Sequence, residues 1–109
     1  MNRGDIFRVD LEPTVGREQR GKRPVLVVST AAFNKVSLPI VCPITGGGEA
    51  QRTVGLTVSL TTAGTQTTGV ILCAQVRAVD LRARRGRLVE RVPAHVIDEV
   101  LAVLQDIFE

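Results

Sequence analysis

Pro24-Val25-Leu26-Val27-Val28-Ser29 is a continuous β-branched and leucine run too short for a membrane span, and it reads as a strand buried on both faces. Working outward, the segment before it, residues 14–23, holds two glycines and five charges without apolar periodicity, so it reads as an exposed loop. Before that loop, Ile6 to Leu11 alternates, with Ile6, Arg8 and Asp10 on one side and Phe7, Val9 and Leu11 on the other, and ends at Pro13. After the run, a short helical turn around Ala31 to Lys35 leads to Leu38–Ile44, whose two prolines remove ladder donors and mark an edge strand or a sharply bent one.

Further on, Gly46 to Gly48 reads as a loop and Val54 to Leu60 as a half-buried strand, with Val54, Leu56, Val58 and Leu60 on one face. Gly69 to Val79 reads as the next strand, placing Gln75 and Arg77 on one side and Val76 on the other. Arg82 to Arg85 forms a turn and Arg87 to Val92 a last short strand. From Pro93 the period becomes helical: Val96, Ile97, Val100, Leu101, Leu104, Ile107 and Phe108 form one apolar stripe, with Pro93 as the first helical residue. Several short strands closed by one helix predict a small curled sheet or barrel, mainly β or α+β, over residues 1–109 as one domain.

An apolar fraction of 44% with 23% charged residues is that of a globular chain, and no apolar run is long enough for a membrane span. The N-terminus carries charge from Arg3 with no apolar stretch behind it, so no secretory signal is readable and the cytoplasm is the expected compartment. Cys42 and Cys73 are lone residues in apolar runs, read as buried reduced thiols, and no spacing of Cys and His suggests a metal site. With no Trp or Tyr and three Phe, a nucleic-acid partner would be held by charge and polar contacts rather than by base stacking.

Charge is segregated along the chain. Residues 13–91 hold 12 basic against four acidic side chains, whereas residues 92–109 hold four acidic side chains and no Lys or Arg. Twelve of the 14 basic residues are Arg, whose planar fork suits bidentate contact with phosphate or carboxylate. A polyanionic partner follows: RNA, or an acidic protein segment that mimics it.

Three segments in order, Arg3 to Pro13, Gly16-Arg17-Glu18-Gln19-Arg20-Gly21-Lys22-Arg23 running on to Ser29, and Ile71 to Asp80, make the chain resemble the MazF/PemK family of endoribonuclease toxins. Pro43-Ile44-Thr45-Gly46-Gly47, the Ala31-Ala32-Phe33-Asn34 turn and Arg91-Val92-Pro93 extend the likeness, the last two toward the PemK/Kid and ChpB types. The resemblance implies an SH3-like barrel of the CcdB/MazF kind with a C-terminal helix, working as a homodimer. It further implies metal-independent, cofactor-free cleavage of single-stranded mRNA, and restraint by an antitoxin with an acidic tail.

Such cleavage runs by attack of the 2′-hydroxyl on the adjacent phosphorus and needs a proton acceptor, a stabiliser of charge on phosphorus and a proton source for the leaving 5′-oxygen. By family match, Arg23 takes the active-site arginine position; the permanent charge of a guanidinium suits it to charge stabilisation rather than proton donation. Thr45 is either an active-site hydroxyl beside glycine amides or a turn cap. Glu18, the one carboxylate between Gly16 and Arg23, is either the base or a partner in an intraloop salt bridge. Arg17, Arg20, Gly46, Gly47, Gln75 and Arg77 form the expected RNA-contacting set, with a dimer-interface role open for Gln75 and Arg77. Arg82, Arg84, Arg85 and Arg87 read as a solvated approach surface. His95, the one histidine, falls on the polar side of the helix and is read as non-catalytic.

The chain departs from the PemK/Kid type where that type carries an Arg and an Asp flanking the cysteine and a His in the loop; here stand Leu72, Ala74 and Arg17. This leaves open a cleavage-deficient member that binds RNA or antitoxin. A CcdB-like gyrase poison is the other alternative, although its terminal Trp-Gly-Ile has no counterpart in Asp106-Ile107-Phe108-Glu109.

Overall fold

A computed structural model describes residues 1–13, 16, 21–46 and 56–109 of the chain. Among the described residues seven antiparallel strands occur: β1 (Asp5–Asp10), β2 (Lys22–Val27), β3 (Ile40–Thr45), β4 (Thr57–Ser59), β5 (Val70–Leu72), β6 (Arg77–Ala78) and β7 (Arg87–Arg91). Two α-helices join them, α1 (Ala31–Val36) and α2 (Ala94–Phe108). The sheet runs β4-β5-β3-β2-β1-β7, with β6 also on β3.

Alternation in β1 and β2 divides the apolar residues between two cores. Ile6, Leu26 and Val28 pack with Cys42, Ile44 and Ile71 beneath Val96, Val100 and Leu104 of α2. On the opposite face Phe7, Val9, Leu11, Val25, Val27 and Val41 pack against Val79 and Leu81. The run at Val25–Val28 is thus buried on both sides, as a strand between two cores must be. Each fully buried Val, Leu or Ile contributes about 1.5–3 kcal/mol.

β7, at one end of the sheet, is tied to the loop that follows β4 at the other end. Glu90 of β7 accepts hydrogen bonds from the Gln66 amide (3.0 Å), the Thr67 amide (2.7 Å) and the Thr67 hydroxyl (2.7 Å), in the loop joining β4 to β5. The sheet therefore curls on itself as a barrel, with a carboxylate at the seam. Desolvation pushes the Glu90 carboxyl up, but the bonds from Thr67 and Gln66 outweigh it and hold the pKa below the ordinary value.

Four expectations need correction. Leu38–Ile44 is no edge: β3 pairs β2 on one side, and β5 and β6 on the other. Its second side is where Pro43 directs its missing donor, because Val28 N–H bonds the Ile40 carbonyl on the β2 side and N–H directions alternate along a strand. There the neighbouring chain is itself interrupted. Gly69–Val79, read as one strand, is β5 and β6 separated by a 3-10 turn at Cys73–Gln75, so the proline faces a gap in the ladder. Of Val54–Leu60, residues 54 and 55 lie outside the described set; among the rest Thr57–Ser59 is strand and Leu56 a bend. Pro93 caps α2 rather than beginning it, with its carbonyl accepting from the Val96 amide.

Candidate active site

Arg23 stands second in β2, across from Val9 of β1, and is partly buried. β2 pairs β3 at Val25↔Pro43, Leu26↔Cys42 and Val27↔Val41. Carried two residues further, this register sets Arg23, where β2 begins, across from Thr45, where β3 ends. Residues so opposed share a sheet face, here the face of Val9, Val25 and Val41, away from α2. Thr45 is only 5% exposed, and both residues have interaction partners. Gly46 follows Thr45 and is exposed.

A glycine shapes this corner. Thr45 pairs with Val70 of β5, and Gly69, at φ +111°, presses against it so closely that a β-carbon would lie 2.4 Å from the Thr45 carbonyl oxygen. Any side chain at Gly69 would drive Thr45 out of position.

The neck of the segment leading to Arg23 is tied down. Leu11 N–H donates to the Gly21 carbonyl (2.9 Å), and Gly21 N–H donates to a Glu12 carboxylate oxygen (3.0 Å). Arg84 closes it from the other side: its Nη1 donates to the carbonyls of Asp10 (3.1 Å) and Glu12 (2.6 Å). Arg84 is thus a structural tie, not part of a freely solvated surface as the dense arginine run suggested. Nothing in the sequence marked it, since its partners are backbone atoms more than 70 residues away.

Of the other predicted residues, Arg17, Glu18, Arg20 and Gly47 lie outside the described set. Gln75 and Arg77 do not share a strand face: Gln75 belongs to the 3-10 turn and Arg77 to β6. Arg77 pairs with Val41, four residues from Thr45 or roughly 13 Å along the strand. It borders a hollow of about 540 Å³ with Phe33, Leu101, Leu104 and Phe108, and its Nη1 is buried without a hydrogen-bond partner. The register of β2 on β3, carried past its paired residues, sets Arg23 opposite Thr45 with Gly46 next in the chain, and sets Arg77 apart from them.

Leu72 is 1% exposed in β5, whereas Ala74 is exposed. His95 is exposed on α2. Cys42 and Cys73 are free and buried; the hydrogen bond with Cys73, with burial, pushes the Cys42 thiol well above its ordinary range, so it stays protonated. Among the described residues, no three His, Cys, Asp or Glu side chains come together as metal ligands.

Residues 2–108 match the family described as PemK-like, MazF-like toxin of type II toxin-antitoxin systems. The chain belongs to this family. It is 52% identical to endoribonuclease PemK of Escherichia coli over 98% of its length and 81% of that protein. It is 41% identical to the endoribonuclease toxin ChpB of Escherichia coli strain K12, over all of its length and 95% of ChpB. In fold, this PemK-like, MazF-like chain superposes on crystalline MazF from Deinococcus radiodurans with a TM-score of 0.88, at 33% identity, covering 99% of this chain and 96% of that one. A MazE–MazF complex from the same organism matches with a TM-score of 0.81 at 32% identity, covering 99% of this chain and 95% of that one. The barrel with its C-terminal helix is the fold of those structures.

Proposed function

We propose that this chain is the toxin of a type II toxin–antitoxin pair, an endoribonuclease that cuts single-stranded mRNA at a short sequence by a route needing no metal ion. The observation that carries the reading is the register of β2 on β3, which sets Arg23 across from Thr45, in a chain whose PemK and ChpB relatives are endoribonucleases.

In this mechanism the 2′-hydroxyl attacks phosphorus; its proton passes to the Glu18 carboxylate, the new O2′–P bond forms and the P–O5′ bond breaks. The products are a 2′,3′-cyclic phosphate and a 5′-hydroxyl, the leaving oxygen taking a proton from solvent. Arg23 holds the charge that builds on the non-bridging oxygens, a role its permanent cation fits. Thr45 donates its hydroxyl to the same phosphate, and the Gly46 and Gly47 amides approach it without side chains in the way. Arg17, Arg20 and Gln75 grip the flanking strand, and Arg77, in the hollow beside Phe108, takes the interface role instead.

A homodimer is the working form, and the partner is an antitoxin with an acidic segment; a MazE–MazF complex shares the fold. Phe108, 75% exposed at the rim of the apolar hollow, supports a protein partner at that end. No helix among the described residues is long and apolar enough to cross a membrane, and the toxin acts in the cytoplasm, on mRNA.

Incubating the purified protein with long single-stranded RNA in EDTA and mapping the ends tests this: cuts ending in cyclic phosphate are expected. Intact RNA supports the second reading, a member that binds without cutting, which the apolar Leu72 and Ala74 favour.

A further inference from the structure

We infer that a second anionic site, distinct from the Arg23–Thr45 corner, binds the phosphates of the RNA strand flanking the cut; the inference rests on the function proposed above. The site is a hollow of about 530 Å³ bordered by Arg8, Lys22, Arg84, Arg85 and Arg87, with Asp10 its one carboxylate.

Four observations support it. Arg8 of β1 lies directly across from Arg87 of β7, a like-charged cross-strand pair that opposes the pairing unless an anion sits between. Among the described residues nothing bonds the side chains of Arg8, Lys22, Arg85 or Arg87, and all four are exposed. Asp10, across from Lys22, offsets one of the five charges and leaves the hollow with an excess of four cations. The frame that carries them is fixed: the Arg84 guanidinium is held by the Asp10 and Glu12 carbonyls, and the backbone of Arg85, at φ 56°, lies in a turn fastened by the Asp80 and Leu81 carbonyls.

RNA is favoured over an acidic peptide by position. Lys22, at the rim, is the neighbour of Arg23 in β2, and adjacent strand residues face opposite sides. A strand gripped at Arg23 reaches the hollow by passing the end of β2, roughly 10 Å, the thickness of a sheet with its side chains. Four of the five cations are Arg, the side chain whose fork fits a phosphate.

The test uses two single-stranded RNAs carrying the sequence the wild-type protein cuts, one minimal and one extended at both ends, each with a 2′-deoxyribose at the cut to block cleavage. Dissociation constants are measured across salt concentrations for wild type, for Arg8→Gln/Arg85→Gln/Arg87→Gln, and for Lys35→Gln as a control on a distant helix. The wild type binds the extended RNA with a steeper salt dependence than the minimal one. The triple variant lowers that slope by about 2, at roughly 0.7 per phosphate on a single strand, and leaves the minimal RNA's slope unchanged. Its melting temperature is unchanged or higher, because the Arg8–Arg87 repulsion is gone. Should the triple variant fail to fold, Arg87→Gln alone lowers the slope by about 0.7.

An unchanged slope for the extended RNA overturns the inference, as does an equal loss on both RNAs. So does weakened binding confined to a Glu- and Asp-rich peptide, which would make the hollow a protein-docking surface. A wild type that leaves RNA uncut sinks the proposed function and this inference together; one that cuts with equal slopes on both RNAs sinks this inference alone.

Discussion

At Gly69 a single hydrogen in place of a side chain decides whether Thr45 stands where the strand register puts it. Alanine there meets both a left-handed φ and the Thr45 carbonyl oxygen at 2.4 Å. We expect Gly69→Ala to cost about 3 kcal/mol in urea unfolding and to slow cleavage further than that loss explains, because the displaced backbone is that of Thr45. Arg23→Lys keeps the charge and loses the fork; cleavage falls by about tenfold or more while the melting temperature holds. His95→Gln leaves the rate and its pH profile as they were, since the side chain is exposed on α2, away from Thr45. Of this corner, the family pattern singled out Arg23 and Thr45 in the sequence. Their facing arrangement was not, because it depends on which strands pair and in what register.

Between elements, the seam at Glu90 and the face of α2 hold the barrel shut. Glu90→Gln removes the charge and sets an NH2 group where one carboxylate oxygen accepts an amide N–H, and should cost roughly 1–3 kcal/mol, read from denaturant unfolding. The sign of the pH effect follows from the lowered pKa. The stabilisation is fully present above the unfolded-state carboxyl value, near 4.3, and is lost as pH falls through the lower folded-state value. Wild type should therefore lose stability on acidification below about pH 4, and Glu90→Gln should lose less. Leu104→Ala, at the foot of the α2 stripe, should cost about 2–4 kcal/mol. The strands at Ile6–Leu11 and Pro24–Ser29 and the helix were legible because each pattern sits between water and a core, or between two cores. The break in Gly69–Val79 was not: the residues there are good strand formers, and what interrupts them is the proline of a different strand.

Over the whole molecule, charge and apolar surface divide the work. The arginine-rich body faces a polyanion, and the acidic helix ends in an exposed Phe108 beside the hollow of Leu101 and Arg77. Phe108→Asp should weaken self-association in sedimentation without lowering the melting temperature, since the ring is 75% exposed in the single chain. Segregated charge was plain from the sequence, but the hollow of Arg8, Lys22 and Arg87 was not, because it forms only through the pairing of β1 with β2 and β7 and a bulge between Ile6 and Phe7. The central claim is that Arg23 and Thr45 act as one unit on one phosphate, and single-turnover cleavage by wild type, Arg23→Ala, Thr45→Val and the double variant tests it most directly. Arg23→Ala should lose about 10²–10³-fold, and the double variant little more than that, as residues acting together do; wild-type cleavage by Arg23→Ala, or losses that simply multiply, would contradict it.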